Sequence, residues 1–165
     1  MNGLILRDAT SEDLPQIARF FRAIVAAGET YAYPEDLDDQ GIADLWLEQP
    51  PGRCIVAVNA EGMVLGSAKM GPNRPGRGAH VATASFMVAP EAQGQGVGRA
   101  LGIEALRWAR AEGYAGMQFN AVVETNTAAV HLWQSLGFQI LATVPEAFEH
   151  ARLGRVGLHV MYQRF

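Results

Sequence analysis

The chain has 165 residues, 49% hydrophobic and 18% charged, so it is long enough to bury a core and too apolar to be disordered throughout. Its net charge of −4 argues against nucleic acid as the main partner, because phosphate backbones are usually bound by basic surfaces. The single cysteine, Cys54, excludes an internal disulfide, and its apolar neighbours predict a buried thiol rather than a nucleophile. With no apolar run long enough to span a membrane, we expect one cytoplasmic domain over residues 1–165.

The first half of the sequence predicts a strand, two helices and a hairpin. The strand LILR comes first, and a helix follows it whose apolar residues recur at helical spacing. These residues are Leu14, Ile17, Phe21 and Ile24. We expect Asp13 and Gln16 to form a capping box at its start and Gly28 to end it. A second helix is predicted around residues 42–47, and the strands RCIVAV and MVLGSAKM are joined by NAEG, a hairpin signal.

The second half predicts strands that alternate with helices. The strand HVATASFMV is apolar on both faces near its end, which is typical of a central strand. A glycine segment and a helix to Glu112 come next, followed by the strand MQFNAVV, the helix TAAVHLWQSL and the strand FQILATV. The tail holds a loop and a last strand. Hairpins followed by this alternation predict an α/β protein with a mixed sheet covered by helices.

The stretch QGQGVGRAL, residues 93–101, joins the central strand to a helix and is suited to binding an anion. The first N–H groups of a helix have no internal partner, and the helix dipole favours negative charge there. Glycines let successive N–H groups curl around an oxyanion. Arg99 opposes the helix dipole, and a nearby anion would explain its position. The alternative is a tight turn that binds nothing. The stretch matches neither a Rossmann nor a Walker loop.

Two segments in the expected order resemble the signatures of the GCN5-related N-acetyltransferase (GNAT) superfamily. FMVAPEAQGQGVGRAL resembles its acyl-CoA pyrophosphate loop, and ETNTAAVHLWQSLGF resembles its second signature. The similarity covers essentially the whole chain. It implies the GNAT fold, a mostly antiparallel mixed sheet of about six or seven strands with splayed middle strands, flanked by about four helices. It also implies acetyl-CoA as co-substrate and no metal.

The resemblance also assigns positions around the coenzyme. Amides of the glycine loop would cradle its pyrophosphate; they belong to Gln93, Gly94, Gln95, Gly96, Val97, Gly98 and Arg99. The backbone of Phe86, Met87 and Val88 would pair with the pantetheine arm. Of these, the N–H of Met87 is our candidate donor to the thioester carbonyl. Asn126 and Trp133 would lie near the cofactor arm, and Asn126 would alternatively cap the last helix.

Two positions depart from the family pattern. Trp133 stands where many relatives have a tyrosine that protonates the leaving thiolate, which an indole cannot do. Ala82 stands where many protein-lysine acetyltransferases have a glutamate base; nearby His80 would act through a water or is a strand-end histidine. At pH 7.5 a lysine amine is neutral in about one part in a thousand, and an α-amine in roughly a quarter. The missing base therefore predicts an acceptor of low pKa, such as an amino acid.

Further residues are candidates for the acceptor site. Asn120 lies in an apolar strand, where it would touch the acyl group or acceptor, or serve as a structural amide. The loop after the first helix commonly walls the acceptor pocket in the superfamily. Its candidates are Glu29, Tyr31 and Tyr33. The segment VPEAFEHARLG is expected to lie over the same pocket, with His150 and Arg152 as carboxylate ligands.

These features predict an enzyme that moves an acetyl group from acetyl-CoA to a small-molecule amine by direct attack in a ternary complex. One alternative is a protein N-terminal acetyltransferase, and another is a non-catalytic acyl-CoA-binding regulatory domain, which Trp133 favours. Because similar proteins are commonly homodimers, we expect a second copy to pair with an exposed edge at HVMYQRF. We expect neither a nucleic acid nor a membrane partner.

Overall fold

The computed structural model describes residues 3–165. Its strands are β1 (Ile5–Asp8), β2 (Arg53–Val58), β3 (Val64–Pro72), β4 (Val81–Val88), β5 (Gly116–Val123), β6 (Gln139–His150) and β7 (Gly154–Arg164). Its α-helices are α1 (Leu14–Ala27), α2 (Asp39–Trp46), α3 (Val97–Ala111) and α4 (Thr127–Ser135). The strands form one sheet in the order β1-β2-β3-β4-β5-β7-β6, which confirms the predicted mixed α/β fold. No helix in this range is long and apolar enough to cross a bilayer.

The centre of the sheet is where its two parallel strands diverge. Every neighbouring pair is antiparallel except β4 and β5. These two strands pair only at their beginnings, Val81 with Gly116 and Ala82 with Met117. From there β4 continues along β3 up to Val88, while β5 pairs with β7 on its other side. The predicted splay is therefore confirmed, and it leaves an open cleft along the second half of β4.

Helices cover both faces of this sheet. Trp46 of α2 donates a hydrogen bond from Nε1 to Ser67 Oγ at 2.9 Å. The adjacent residue of β3, Gly66, lies against α3, where a Cβ would come within 2.9 Å of Val97. Because successive residues of a strand point to opposite faces, α2 and α3 lie on opposite sides of the sheet. The close approach at Gly66 brings the start of α3 to the open end of the cleft.

The start of α1 differs from its prediction. Asp13 forms an ion pair with Arg7, at 2.7 and 2.8 Å, and accepts a hydrogen bond from the N–H of Thr10 at 2.8 Å. Gln16 instead accepts from the N–H of Val64 at 2.9 Å, so its side chain ties α1 to β3. The predicted Asp13–Gln16 capping box is therefore wrong, because both side chains have partners from neighbouring strands.

The carboxyl-terminal strands also differ from their prediction. The segment VPEAFEH belongs to β6, which extends to His150 and pairs with β7. In turn β7 lies between β5 and β6. The expectation of an exposed edge at HVMYQRF is therefore wrong, since that segment is internal and β6 forms the sheet edge. A last strand inserted between two earlier ones produces this arrangement.

Replacing Asp13 by Asn tests the ion pair that this buried carboxylate forms with Arg7. Because this carboxylate holds Arg7 and Thr10, we expect the free energy of unfolding at pH 7 to fall by about 2 kcal/mol. The hydrogen bond from Arg7 lowers the pKa of Asp13 from 3.8, so its contribution is complete above that pH and is lost as the pH falls through the folded-state pKa. Urea unfolding at pH 7 and at pH 3 measures both effects. If the free energies of unfolding of wild type and Asp13→Asn differed by the same amount at both pH values, this account would be contradicted.

Candidate active site

The loop between β4 and α3 presents unpaired backbone N–H groups. Gly94 and Gly96 have φ angles of 74° and 82°, which residues with side chains rarely adopt. No side chain caps α3 at Gly96, so the first N–H groups of this helix have no partner from it. Within residues 3–165, the N–H groups of Gly94, Gln95 and Gly96 also lack an acceptor. The loop therefore has the geometry that binding an anion requires.

Side chains hold this loop from its outer side. Gln95 donates from Nε2 to the carbonyl oxygen of Glu91 at 3.0 Å. Arg19 of α1 forms an ion pair with the same residue, Glu91. Arg99 donates to Ser135 Oγ of α4 at 2.9 Å. Since the side chains of Gln95 and Arg99 bind within the protein, what the loop offers a ligand is mainly its backbone.

The hydrogen-bond pattern of β4 determines which of its backbone groups face the cleft. In antiparallel pairs, bonded and non-bonded residue pairs alternate. Ala89 donates to the carbonyl oxygen of Leu65 at 2.9 Å, so Met87, two residues earlier, also belongs to a bonded pair, with Ser67 of β3. The N–H of Met87 therefore points toward β3. Our prediction that it donates to a thioester carbonyl is wrong, and the groups that face the cleft belong to its two neighbours.

Phe86 and Val88 are the neighbours that turn their backbone toward the cleft. At Phe86 the Tyr31 hydroxyl accepts a hydrogen bond from the N–H at 2.9 Å and donates one to the carbonyl oxygen at 2.5 Å. Tyr31 belongs to the loop after α1 and meets Trp46 on the sheet face opposite α3. Burial raises the pKa of Tyr31, so the phenol stays protonated. An extended ligand would find its backbone partners here.

An aromatic cluster lies on the other side of the cleft. The ring of Phe86 is 4.6 Å from that of Trp133, which is 4.9 Å from that of Phe119. Trp133 also covers Gly102 of α3, where a Cβ would lie 2.9 Å from the indole. Trp133 stands where many relatives have a proton-donating tyrosine, and here this buried side chain packs α4 against α3.

A groove of about 260 Å³ lies between the loop after α1 and the end of β6. Tyr31, Tyr33 and Phe148 form part of its wall, and Glu35 and Glu149 are exposed at its rim. The segment predicted to lie over the acceptor pocket does border this groove. Tyr31 lines this groove and also binds the backbone of β4, so one residue contacts both the groove and the strand edge.

Comparison with known proteins identifies the family. Residues 17–138 match the Acetyltransferase (GNAT) family. The chain belongs to this family. A GCN5-related N-acetyltransferase from Kribbella flavida is 59% identical, with a TM-score of 0.96 over 99% of this chain and 98% of that one. A phosphinothricin acetyltransferase from Sinorhizobium meliloti, solved with acetyl-CoA, shares the fold at 23% identity, with a TM-score of 0.88 over 99% and 89% of the two chains.

A curated relative is the N-acetyltransferase aca1 of Schizosaccharomyces pombe, 30% identical over 97 residues. The match covers 59% of this chain and 46% of that protein, so this chain spans less than half of the relative's length. The GNAT resemblance inferred from the two signatures is confirmed. The roles of individual residues depend on their positions in the fold.

Two sequence candidates have surroundings that differ from those the sequence indicated. Asn120 is exposed rather than buried, and its amide donates to Asn73 Oδ1 at 2.7 Å and accepts from Gln118 at 2.9 Å. It lies where β5 bulges out of register with β7. His80 is exposed in the turn before β4. At about 3.3 Å per residue it is about 20 Å along the strand from Phe86, so the fold does not bring it to the cleft opening.

Three further candidates bind one another where α1 meets the β6–β7 turn. Arg152 pairs with Glu29 at 2.5 Å, and the N–H of Ala151 donates to the carbonyl oxygen of Gly28 at 2.9 Å. His150 is buried, and its Nδ1 accepts from the N–H of Arg152 at 3.1 Å. These partners do not support Glu29 as an ammonium ligand, nor His150 and Arg152 as carboxylate ligands. The backbone hydrogen bond between Ala151 and Gly28 ties the β6–β7 turn to the start of the loop that carries Tyr31.

Asn126 caps α4, which was the alternative interpretation of this residue. Its side chain accepts a hydrogen bond from the N–H of Ala129 at 3.3 Å and caps α4. A contact of Asn126 with the cofactor arm stays a prediction. Across residues 3–165, no group of three His, Cys, Asp or Glu side chains is arranged to hold a metal ion.

Cys54 is expected to be unreactive in the folded protein. The thiol is buried, and this burial raises its pKa to about 11, so almost none of it is thiolate at pH 8. A disulfide reagent such as DTNB should leave the native protein unmodified for minutes and titrate one thiol in denaturant. Rapid stoichiometric reaction of the native protein would contradict the buried placement.

Proposed function

We propose that the protein is an N-acetyltransferase that moves the acetyl group of acetyl-CoA to a small-molecule amine of low pKa, such as an amino acid. The amine attacks directly in a ternary complex. One observation carries this proposal: the unpaired N–H groups of residues 94–99 follow directly on β4, where Phe86 and Val88 turn their backbone away from β3 and have no strand partner on that side. A diphosphate at the loop and an extended arm along the strand make use of both.

The coenzyme half of the site uses main-chain groups. The loop binds the diphosphate through backbone N–H groups and the positive end of the α3 dipole. The arm then follows β4 inward and pairs first with Val88 and then with Phe86, as a peptide adds to a sheet edge. Acetyl-CoA supplies an activated thioester, and this chain positions its carbonyl at the strand edge.

The acceptor half is the groove lined by Tyr31 and Tyr33. Its rim carboxylates, Glu35 and Glu149, attract an amine in its protonated form. The amine must lose a proton before its nitrogen attacks the carbonyl carbon and the C–S bond breaks, which releases the thiolate of coenzyme A. The polar side chains of β4 are Thr83 and Ser85, neither of which is a base. Catalysis therefore relies on positioning and favours amines that are already partly neutral.

A panel of acceptors tests the substrate class. Thiol release from acetyl-CoA should occur with free α-amino acids and rise with pH, by up to roughly tenfold per pH unit well below the pKa of the amine, as its neutral fraction increases. Nα-blocked lysine serves as the comparison. Acetylation of lysine side chains with no activity on any free amino acid would contradict the proposal. Activity confined to peptide N-termini would favour the protein N-terminal alternative, and binding without turnover would favour a regulatory domain.

Two glycines that share one backbone conformation test the coenzyme loop. Gly94 and Gly62 have φ angles of 74° and 80°, and a Cβ at either would meet no atom within 4 Å. Each Gly→Ala change should therefore cost a similar strain of about 1 kcal/mol. We expect Gly94→Ala to weaken acetyl-CoA binding about fivefold or more by reshaping the ring of N–H groups. Gly62→Ala, in the β2–β3 hairpin, should leave binding unchanged, as measured by isothermal titration calorimetry. Equal affinities for the two variants would argue against coenzyme binding at this loop.

A further inference from the structure

The backbone of Phe86 is satisfied by one side chain from another part of the fold. Because β4 and β5 separate after Ala82, the N–H and carbonyl of Phe86 have no strand partner on that side. A buried backbone group without a partner is costly, and pairing with β5 would close the cleft. Tyr31 supplies both partners from one hydroxyl, at 2.9 Å from the nitrogen and 2.5 Å from the oxygen.

The ring of Tyr31 is firmly placed. It stacks on Tyr33 at 5.2 Å between centroids with the planes 8° apart, and it meets the edge of Trp46 at 6.4 Å. Tyr33 stacks in turn on Phe21 of α1 at 5.5 Å. Trp46 and Phe21 are core residues, 0% and 1% exposed. This stack of rings aims the hydroxyl at the strand edge.

Resting on the proposed function, we infer that Tyr31 is a positioning residue of the acyl site. In the free enzyme its hydroxyl binds the N–H of Phe86, and the thioester carbonyl takes over that N–H when acetyl-CoA binds. An arm that enters from the glycine loop reaches Val88 first and Phe86 farther in, so the reacting end of the coenzyme arrives at Phe86. One N–H points at one acceptor, and the carbonyl must therefore displace the hydroxyl.

This exchange predicts that Tyr31→Phe makes the free protein less stable and makes it bind acetyl-CoA more tightly. The free protein loses the partner of Phe86, so its melting temperature should fall by a few degrees. Acetyl-CoA no longer competes with the hydroxyl, so its dissociation constant should fall about fivefold, the factor that one net hydrogen bond contributes. A side chain that only stabilised the fold would lower the melting temperature without tightening the coenzyme.

The experiment compares wild type, Tyr31→Phe and Tyr114→Phe by calorimetric titration with two probes. Acetyl-CoA occupies the loop and the strand edge, whereas 3′-phospho-ADP occupies the loop only. Tyr31→Phe should tighten acetyl-CoA and leave the nucleotide unchanged. Tyr114 packs against Trp108 of α3, away from the cleft, so Tyr114→Phe should change neither affinity.

Every other result of this experiment contradicts either the exchange at Phe86 or the proposed function. Unchanged or weaker acetyl-CoA binding by Tyr31→Phe overturns the exchange, and so does equal tightening of both probes, which would place the effect at the loop. If no variant and no wild-type protein binds acetyl-CoA, the proposed function fails and this inference fails with it.

A measurement on the unmutated chain covers the case in which Tyr31→Phe does not fold. The four tyrosines can be labelled as 3-fluorotyrosine and followed by ¹⁹F NMR. The Tyr31 resonance should move at saturation with acetyl-CoA and stay in place with 3′-phospho-ADP. A Tyr31 resonance that acetyl-CoA leaves unmoved overturns the proposal.

Discussion

The unpaired backbone edge of β4 is the constraint on which the rest of the molecule depends. A sheet gains stability by pairing every strand, yet β4 and β5 pair through two residues each and then separate. The backbone groups of Phe86 and Val88 on this side have no strand partner; Tyr31 satisfies those of Phe86, and together they form a surface that an extended ligand can use. The fold keeps this surface available because β3 holds β4 along its whole length while β7 draws β5 away.

Close packing on both faces keeps the strands apart. On one face Gly66 lets the side chains of α3 approach β3 closely, and Gly102 of α3 lets Trp133 of α4 pack against that helix. On the other face Trp46 and Tyr31 approach from α2 and from the loop after α1. The cleft is therefore lined by backbone between two packed layers, which suits a ligand that is recognised through its own amide and carbonyl groups.

Local features were predictable from the sequence where one residue type meets a local demand. The glycine loop was found because positive φ at Gly94 and Gly96 requires glycine, and α1 and α3 were found from apolar residues at helical spacing. The two family signatures then predicted the splayed sheet. These inferences need no knowledge of how distant segments pair.

Features that depend on pairing between distant segments were not predictable. Which groups of residues 86–88 face the cleft depends on the register between β3 and β4, and neither strand alone reveals it. Asn120 lies at the bulge where β5 goes out of register with β7. β7 is internal because it is the last strand in sequence but pairs with β5 on one side and β6 on the other. Tyr31 was a candidate from its place in the loop after α1, but the loop sequence gives no sign that its hydroxyl reaches Phe86 of β4.

The backbone hydrogen bond between Ala151 and Gly28 joins the β6–β7 turn to the end of α1 beside the groove. Through this contact and the Glu29–Arg152 pair, the carboxyl-terminal hairpin braces the loop that carries Tyr31. In the proposed function, the coenzyme site is built from consecutive segments, β4, its loop and α3, whereas the wall of the acceptor groove is assembled from segments more than a hundred residues apart. On the proposed function, substitutions at the hairpin tip would reshape the acceptor groove and leave the glycine loop and β4 unchanged.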